Sequence, residues 1–256
     1  MSINSFTVLG SSSGFPQAGR SSSGYLLKVG DSLSLIDCGG GVTSSFLRTG
    51  ADPLKVDRIF ISHTHSDHVC ELSLFIQLID LNGRTDRLDV YLPSEFVEIF
   101  RQYLYAVYLF PKRMPFELKL IGYEAGFEFD NDFILKAYST SHLKKYAENI
   151  GGLDIPNKMQ CHCFQIEIAD KRLFYSADLG EFKDVTKYLR NNDYVIIETS
   201  HINIEKFLTV SGEYNVGRYI LTHLGSPEEV EQIRQDISKS GVSNVSIAED
   251  GLELPL

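Results

Sequence analysis

The segment HTHSDH is the most chemically distinctive part of the sequence, because it places three of the chain's seven histidines within six positions. Imidazole nitrogens and carboxylate oxygens are ligands of divalent metal ions such as zinc. In an extended chain His63 and His65 point the same way, so both can face one ion. A turn into a following helix would redirect Asp67 and His68 toward a second ion. The segment predicts a dinuclear metal site; a polar loop with Asp67 as a helix N-cap is the alternative.

Two metal ions need more ligands than this segment holds, and three further candidates each follow a strand-like run. They are His142 in AYSTSHLKK, Asp178 in LFYSADLGE and His223 in RYILTHLGS. Strands that end at the same edge of a sheet bring such residues together. A carboxylate can bridge two ions, which predicts that role for Asp178. Taken singly, each residue is better explained as structural, with Asp178 capping a turn, and only the combination with HTHSDH favours metal binding.

The elements that must position these residues alternate along the chain. Short runs rich in Val, Ile, Phe and Tyr predict strands, namely SFTVLG, YLLKV, SLSLIDC, DRIFIS, LDVYL, FILKAYS, CHCFQIEI, RLFYSA, YVIIET and RYILTH. Helical periodicity predicts helices at 69–81, 94–109, 182–190 and 227–238. Helices that follow strands indicate an α/β protein with sheets covered by helices. Without a linker or a repeat, residues 1–256 are predicted to form one domain.

Composition limits the partners and the compartment. The chain has 256 residues, is 43% hydrophobic and carries a net charge of −10, which disfavours nucleic acid as a partner. It has neither a signal-like start nor 18 consecutive apolar residues, so no membrane association is predicted. Four cysteines are too few for a disulfide framework at this length. A cytoplasmic location is the expectation.

The ligand order resembles that of the metallo-β-lactamase fold hydrolases. VLGSSSGFPQAGRSSSGYLL, LIDCGGG and the terminal SIAEDGLELPL resemble the ribonuclease Z and phosphodiesterase branch of that superfamily. The resemblance implies a four-layer αββα sandwich with the site at one edge of its two sheets. It also implies a ligand assignment: His63, His65 and His142 for one ion, Asp67, His68 and His223 for the other, and Asp178 bridging. Asp37 in LIDCGG would orient a ligand.

The resemblance and the ligand types imply metal-dependent hydrolysis. Two divalent ions are expected, with zinc as the first choice and manganese or iron as alternatives. They would generate hydroxide at neutral pH and stabilise charge on the substrate oxygens. Asp67 and His201 are the predicted catalytic residues, with His201 as the proton donor to the leaving group and Glu198 as its partner. An ordinary loop histidine is the alternative for His201.

The interval between His142 and Asp178 bears on the substrate. Common forms of ribonuclease Z carry an RNA-gripping arm in this interval. In this sequence a predicted loop and two predicted strands occupy nearly all of it, so the arm is absent. The GHST-like segment expected before the last ligand is also absent. A phosphodiesterase for small phosphodiesters is therefore predicted. The alternatives are a ribonuclease Z-like tRNA 3′ processing endonuclease, a lactone or thioester hydrolase, and a noncatalytic metal-binding protein.

Two other segments have simpler interpretations. Strand alternation in CHCFQIEI places Cys161 and Cys163 on one face and His162 on the other, which predicts ordinary strand residues. Residues 100–110 are apolar and aromatic. They predict a core-facing helix, with a substrate lid or a homodimer surface as the alternative.

Overall fold

Two sheets dominate the computed structural model, which describes residues 4–256. Each sheet contains seven strands within that range. The strands are β1 Ser5–Gly10, β2 Gly24–Val29, β3 Ser32–Cys38, β4 Val56–Phe60, β5 Leu88–Pro93, β6 Leu118–Tyr123, β7 Glu128–Asp130, β8 Ile134–Ser139, β9 His162–Ile168, β10 Lys171–Tyr175, β11 Tyr194–Glu198, β12 Arg218–Thr222, β13 Val245–Ile247 and β14 Glu253–Pro255.

Both sheets are mixed, and their orders mirror each other. The first runs β14-β1-β2-β3-β4-β5-β6 and the second β13-β12-β11-β10-β9-β8-β7. The pairs from β3 to β6 are parallel in the first sheet, as are the pairs from β10 to β13 in the second. Parallel pairs put several carboxyl ends at one edge, which is where the candidate ligands follow β4, β10 and β12.

Helices cover the outer faces of both sheets. The helices of the described chain are α1 Val42–Arg48, α2 Ser66–Val69, α3 Leu72–Leu81, α4 Val97–Ala106, α5 Ala147–Ile150, α6 Ile204–Val210 and α7 Pro227–Ser240, of which the short α2 and α5 lie in loops. Short 3-10 turns lie at Pro53–Lys55, Ser94–Phe96, Pro111–Arg113, His142–Tyr146, Phe182–Asp184, Thr186–Tyr188 and Ser211–Tyr214.

Strand β12 shows how the layers are held together. Ile220 points into the core between the two sheets, whereas Tyr219 and Leu221 pack in the core beneath the helices. A strand covered on both faces must be apolar on both, which explains its unbroken apolar run. Phe46 and Phe75 close the corresponding helix layer over the first sheet. The result is the predicted four-layer αββα sandwich, a single domain.

One predicted helix is wrong. Residues 182–190 form two 3-10 turns instead of an α-helix. The Asp184 carboxylate accepts from the backbone N–H groups of Ser141 and Gly180, so this segment is tied to neighbouring loops at its start. The prediction for 227–238 is confirmed by α7, and 69–81 is divided between α2 and α3.

The aromatic segment packs against the core on one face only, and the predicted domain limits stay a prediction. Residues 1–3 of the predicted domain 1–256 lie outside the described residues. Within 100–110, Phe100 and Leu104 face the core, while Tyr103 and Tyr108 are exposed. The segment thus packs as predicted on one face, and a homodimer through the other face stays a prediction. No helix in the described part of the chain is long and apolar enough to cross a membrane.

Candidate metal centre

The HTHSDH segment connects β4 to α2, as the sequence predicts. β4 ends at Phe60, and α2 begins at Ser66 after His65, which is still extended. His63 and His68 are fully buried, whereas His65 and Asp67 are only partly so. Polar side chains are rarely buried completely without a bonding partner, so the ring nitrogens of these two histidines each need one.

The other three predicted ligands follow strands of the second sheet. His142 comes after β8, Asp178 after β10 and His223 after β12. Ala177 and His223 have φ values of 46° and 54°, a left-handed conformation that is uncommon outside glycine. Backbone strain of this kind concentrates at functional sites. Here it occurs at His223 itself and at the residue before Asp178.

Asp178 lies between two groups of histidines. Its Oδ2 is 3.4 Å from His142 Nε2 and 3.7 Å from His63 Nε2. Its Oδ1 is 3.2 Å from His68 Nε2 and 3.3 Å from His223 Nε2. Each carboxylate oxygen therefore faces a different pair of rings, which is the geometry expected of a bridging ligand.

The candidate ligand atoms form two groups that share Asp178, and within each group they all lie within 4.8 Å of one another. The groups are His63, His65, His142 and Asp178, and Asp67, His68, Asp178 and His223. His63 Nε2, His68 Nε2 and Asp178 Oδ1 are buried without a hydrogen-bond partner. Buried polar atoms left unpaired are costly, and a cation bound by the lone pairs of these nitrogen and oxygen atoms would remove that cost. The residues thus fit two divalent ions.

Asp37 supports the cluster from behind. Its Oδ2 accepts from His68 Nδ1 at 2.8 Å, which directs the opposite ring nitrogen of His68 toward Asp178. Tyr175 and Ser62 donate to the same carboxylate at 2.7 and 2.8 Å. The Ser62 backbone N–H also donates to Asp37. Sequence reasoning found Asp37 but missed Ser62 and Tyr175, because nothing in the local sequence links Tyr175 to a residue 138 positions away.

The pKa shifts in the cluster differ from ring to ring: the pKa values of His63 and His142 fall, whereas that of His68 rises. Burial lowers the pKa of His63 well below its ordinary value and that of His142 to about 4. Neutral imidazole is the form that binds metal. Burial also disfavours charge on His68, but Asp178 and Asp37 outweigh it and raise the pKa of His68. A positive charge is therefore stabilised beside Asp178.

His201 stands beside the cluster rather than inside it. Its ring centroid is 4.6 Å from that of His142, and its Nδ1 lies 3.2 Å from Glu198 Oε1. The hydrogen bond to Glu198 raises the pKa of His201. Glu198, His201 and His223 also form a third group of possible metal ligands. The Glu198 oxygens, however, already accept from the backbone of Leu179 and His201.

Two clefts lie on either side of the loop that carries His201. The first, of about 610 Å³, we term the acidic cleft; its lining includes Ser13, Phe15, Ser200, Glu229, Gln232 and Asp236. The second, of about 490 Å³, we term the basic cleft; its lining includes Gly180, Phe182, Lys183, His201, Lys206 and Tyr214.

Comparison with protein families places the chain. The family model for the Anti-Pycsar protein Apyc1 matches residues 4–207. The chain belongs to the Apyc1 family. The match includes six of the seven predicted ligands and ends before His223. The Apyc1 family assignment agrees with the expected branch, since the chain is a metallo-β-lactamase fold protein related to ribonuclease Z and PhnP-type phosphodiesterases.

Ribonucleases Z are among the relatives of this Apyc1 family member. The enzyme of Methanosarcina acetivorans is 25% identical over 98% of the chain and 97% of its own length. The enzyme of Methanothermobacter thermautotrophicus is 37% identical, but over only 36% of the chain and 30% of its own length. The aligned region thus covers less than a third of the length of that relative.

Solved structures agree on the fold of this Apyc1 family member. The metallo-β-lactamase fold protein YhfI from Bacillus subtilis superposes with a TM-score of 0.78 at 22% identity, covering 99% of this chain and 100% of its own. The short form of human tRNase Z gives 0.73 at 17% identity, with 98% of this chain covered. At such identities the likeness concerns the fold alone.

All seven predicted ligands meet at one edge of the two sheets, and Asp37 and Glu198 lie beside them. Metal binding by these residues, and catalysis by Asp67 and His201, remain predictions. The CHC segment behaves as ordinary strand residues, because Cys163 packs beneath the helices while His162 contacts Tyr123 on the opposite face.

Proposed function

We propose that this protein hydrolyses small phosphodiesters, with nucleotide phosphodiesters, including cyclic nucleotides, as its substrate class. The observation that carries the proposal is the division of the Asp178 carboxylate between two groups of histidines. Two-metal sites of this kind are typical of enzymes that cleave phosphate esters. Membership of the Apyc1 family supports a cyclic nucleotide as the substrate.

The proposed ligand assignment follows the two groups. His63, His65 and His142 would hold one ion, Asp67, His68 and His223 the other, and Asp178 both. Zinc suits imidazole and carboxylate ligands, as manganese and iron also do. When bound, two such ions lower the pKa of water and offset negative charge on phosphate oxygens.

The chain's own residues have distinct roles in this proposal. Asp37 orients His68, since it accepts a hydrogen bond from the Nδ1–H group and leaves Nε2 directed to the centre. Asp67 is both ligand and catalytic residue, because its Oδ2 lies 3.0 Å from His223 Nε2 and its side chain is partly open to solvent. His201 gives a proton to the leaving group, and Glu198 holds its ring by Nδ1.

Ribonuclease Z-like tRNA 3′ processing is the second candidate. It is favoured by the near full-length similarity to the Methanosarcina enzyme. The interval from His142 to Asp178 speaks against it, because in the described chain it consists of a 3-10 turn, α5, a loop, β9 and β10. No arm of regular structure projects from this part of residues 4–256.

The test combines metal analysis with a substrate panel. After reconstitution with zinc, manganese or iron, elemental analysis is expected to give about two ions per chain, since seven ligands exceed one tetrahedral site. Bis(p-nitrophenyl) phosphate and 3′,5′-cyclic nucleotides are expected to be hydrolysed. Lactones, thioesters and phosphomonoesters are expected to be poor substrates.

Two variants test the bridging role within the same experiment. Asp178→Ala is expected to reduce the content of both ions, whereas His142→Ala is expected mainly to empty one. Trace metal in the wild type would contradict the proposal. Two bound ions without turnover of any diester would favour a noncatalytic metal-binding protein, and preferential lactone or thioester cleavage would favour those hydrolases.

A further inference from the structure

The basic cleft opens directly beside the candidate metal centre. His201 belongs to its lining and stacks edge-on against His142, with ring centroids 4.6 Å apart. Gly180 also belongs to its lining and follows Asp178 by two residues. The cleft therefore shares His201 and the loop after Asp178 with the surroundings of the cluster, so a substrate whose phosphate lies at the cluster is close to this cleft.

The inner wall of the basic cleft is fixed by Asp184. One oxygen of this carboxylate accepts from the Ser141 N–H and hydroxyl, both at 2.8 Å, and from the Gly180 N–H at 3.1 Å. These bonds tie the loop after β10 to the residue preceding His142. The cleft and the predicted ligands are thus held by shared contacts, so a ligand in the cleft would have a defined position relative to the cluster.

Aromatic side chains form one side of the basic cleft. Phe182 is half-buried and meets Phe207 and Tyr214 edge to face, with centroid distances of 5.7 and 6.3 Å. This packing restrains the Phe182 ring while part of its surface stays accessible. Restrained aromatic rings are stacking surfaces for planar heterocycles. The volume of about 490 Å³ lies within the range of about 300 to 1,000 Å³ typical of small-molecule sites.

Charge distinguishes the basic cleft from the acidic one. Lys183 and Lys206 are exposed at the basic cleft, where Glu181 is the one acidic lining residue. In the described chain the acidic cleft is lined by Glu229 and Asp236 and by no lysine or arginine. A phosphodiester is an anion, so it is attracted to the basic cleft and repelled by the acidic cleft.

We propose that the basic cleft binds the planar base of a nucleotide phosphodiester. Phe182 stacks on the base, and Lys183 and Lys206 face the polar edge of the base and the negative charge of the phosphodiester. The inference rests on the proposed phosphodiesterase function. It adds a specificity site for the part of the substrate that does not react. Phe182 and Lys206 therefore determine which diester is preferred rather than whether a diester is cleaved.

The test compares two diesters that share a leaving group. Thymidine 5′-(p-nitrophenyl phosphate) carries a base, and methyl p-nitrophenyl phosphate does not. In the wild type, kcat/KM is expected to be at least about tenfold higher for the thymidine ester, because stacking of a base on an aromatic ring strengthens binding by about tenfold or more. Phe182→Leu and Lys206→Gln are each expected to reduce this preference severalfold. The matched control Gln232→Ala in the acidic cleft is expected to preserve it.

Equilibrium binding separates this inference from the proposed function. Binding of a fluorescent 3′,5′-cyclic nucleotide to the metal-loaded protein is expected to weaken in Phe182→Leu and Lys206→Gln and to be unchanged in Gln232→Ala. If neither diester is hydrolysed, the proposed function fails, while this pattern of binding would still support the cleft. An unchanged preference and unchanged binding in both cleft variants would overturn the inference, as would losses confined to Gln232→Ala.

Discussion

Asp178 and His201 illustrate two different uses of polar side chains at one site. Asp178 is almost completely buried, and each of its oxygens faces two imidazoles. His201 is partly open to solvent, and one of its nitrogens is engaged by Glu198. The buried carboxylate is suited to holding cations in place. The accessible ring is suited to proton transfer at the substrate.

Replacement of His201 by alanine is expected to affect substrates according to their leaving groups. Cleavage of an unactivated diester, such as a 3′,5′-cyclic nucleotide, produces a strongly basic alkoxide leaving group that needs a proton. The kcat for this substrate is therefore expected to fall by about 10²- to 10⁴-fold. Bis(p-nitrophenyl) phosphate releases a weakly basic phenolate and is expected to lose much less. Steady-state kinetics on both substrates, with metal content measured on the same preparations, makes the comparison.

An equal loss on both substrates would contradict the role of His201 as a proton donor. A loss accompanied by a lower metal content would instead favour the third group, in which His201 is a ligand together with Glu198 and His223.

The connection from β4 to α2 depends on a close backbone contact with the loop after β3. A Cβ atom added at Gly39 would overlap the carbonyl oxygen of Asp67. The backbone that presents Asp67 therefore packs against a position that only glycine can occupy without displacement.

Gly39→Ala is expected to lower the free energy of unfolding of the metal-free protein by about 2 kcal/mol or more, because backbone atoms must move to admit the methyl group. Gly212→Ala is the matched control, since an added Cβ there meets no atom within 4 Å. Its effect is expected to stay within about 0.5 kcal/mol. Urea unfolding monitored by circular dichroism measures both, and equal stability of the two variants would contradict the packing argument.

The elements differ in how far the sequence predicts them. Long apolar runs such as those of β3 and β12 are recognisable because strands covered on both faces must be apolar throughout. Helix α1 was missed because its first turn is capped from a distance: the N–H groups of Gly41 and Thr43 donate to the carboxylate of Glu71. Such a cap leaves no local pattern. Helix α6, of seven residues, and the short strand β7 are equally hard to detect.

The candidate site was more predictable than the fold around it. The spacing in HTHSDH and the strands before His142, Asp178 and His223 contain the needed information, because strand ends converge at a sheet edge. The contact of Tyr175 with Asp37 and the two clefts arise only when the sheets are packed. Periodicity and spacing carry no information about them.

At the scale of the whole molecule, charge bears on the choice between small substrates and RNA. The net charge is −10, and the exposed basic residues near the cluster include the pair Lys144 and Lys145. RNA affinity grows with the number of phosphates neutralised. Precursor tRNA is therefore expected to bind no more tightly than about 10⁻⁶ to 10⁻⁴ M at about 0.15 M salt, the nonspecific range.

Competition measures this directly. Precursor tRNA at submicromolar concentration is expected to leave the hydrolysis of bis(p-nitrophenyl) phosphate unaffected, whereas a cyclic nucleotide is expected to inhibit it. Tight, salt-sensitive tRNA binding together with cleavage of the 3′ trailer would reverse the order of the two candidate functions.

The candidate ligands come from both sheets: His63, His65, Asp67 and His68 follow a strand of the first, and the other three follow strands of the second. Ions bound there would crosslink the two sheets of the sandwich. A ligand bound only by the folded state adds about 2.7 kcal/mol of stability at a hundredfold excess over its Kd. Since proteases attack opened chains, metal supply would then govern how long each molecule survives as well as how fast it works.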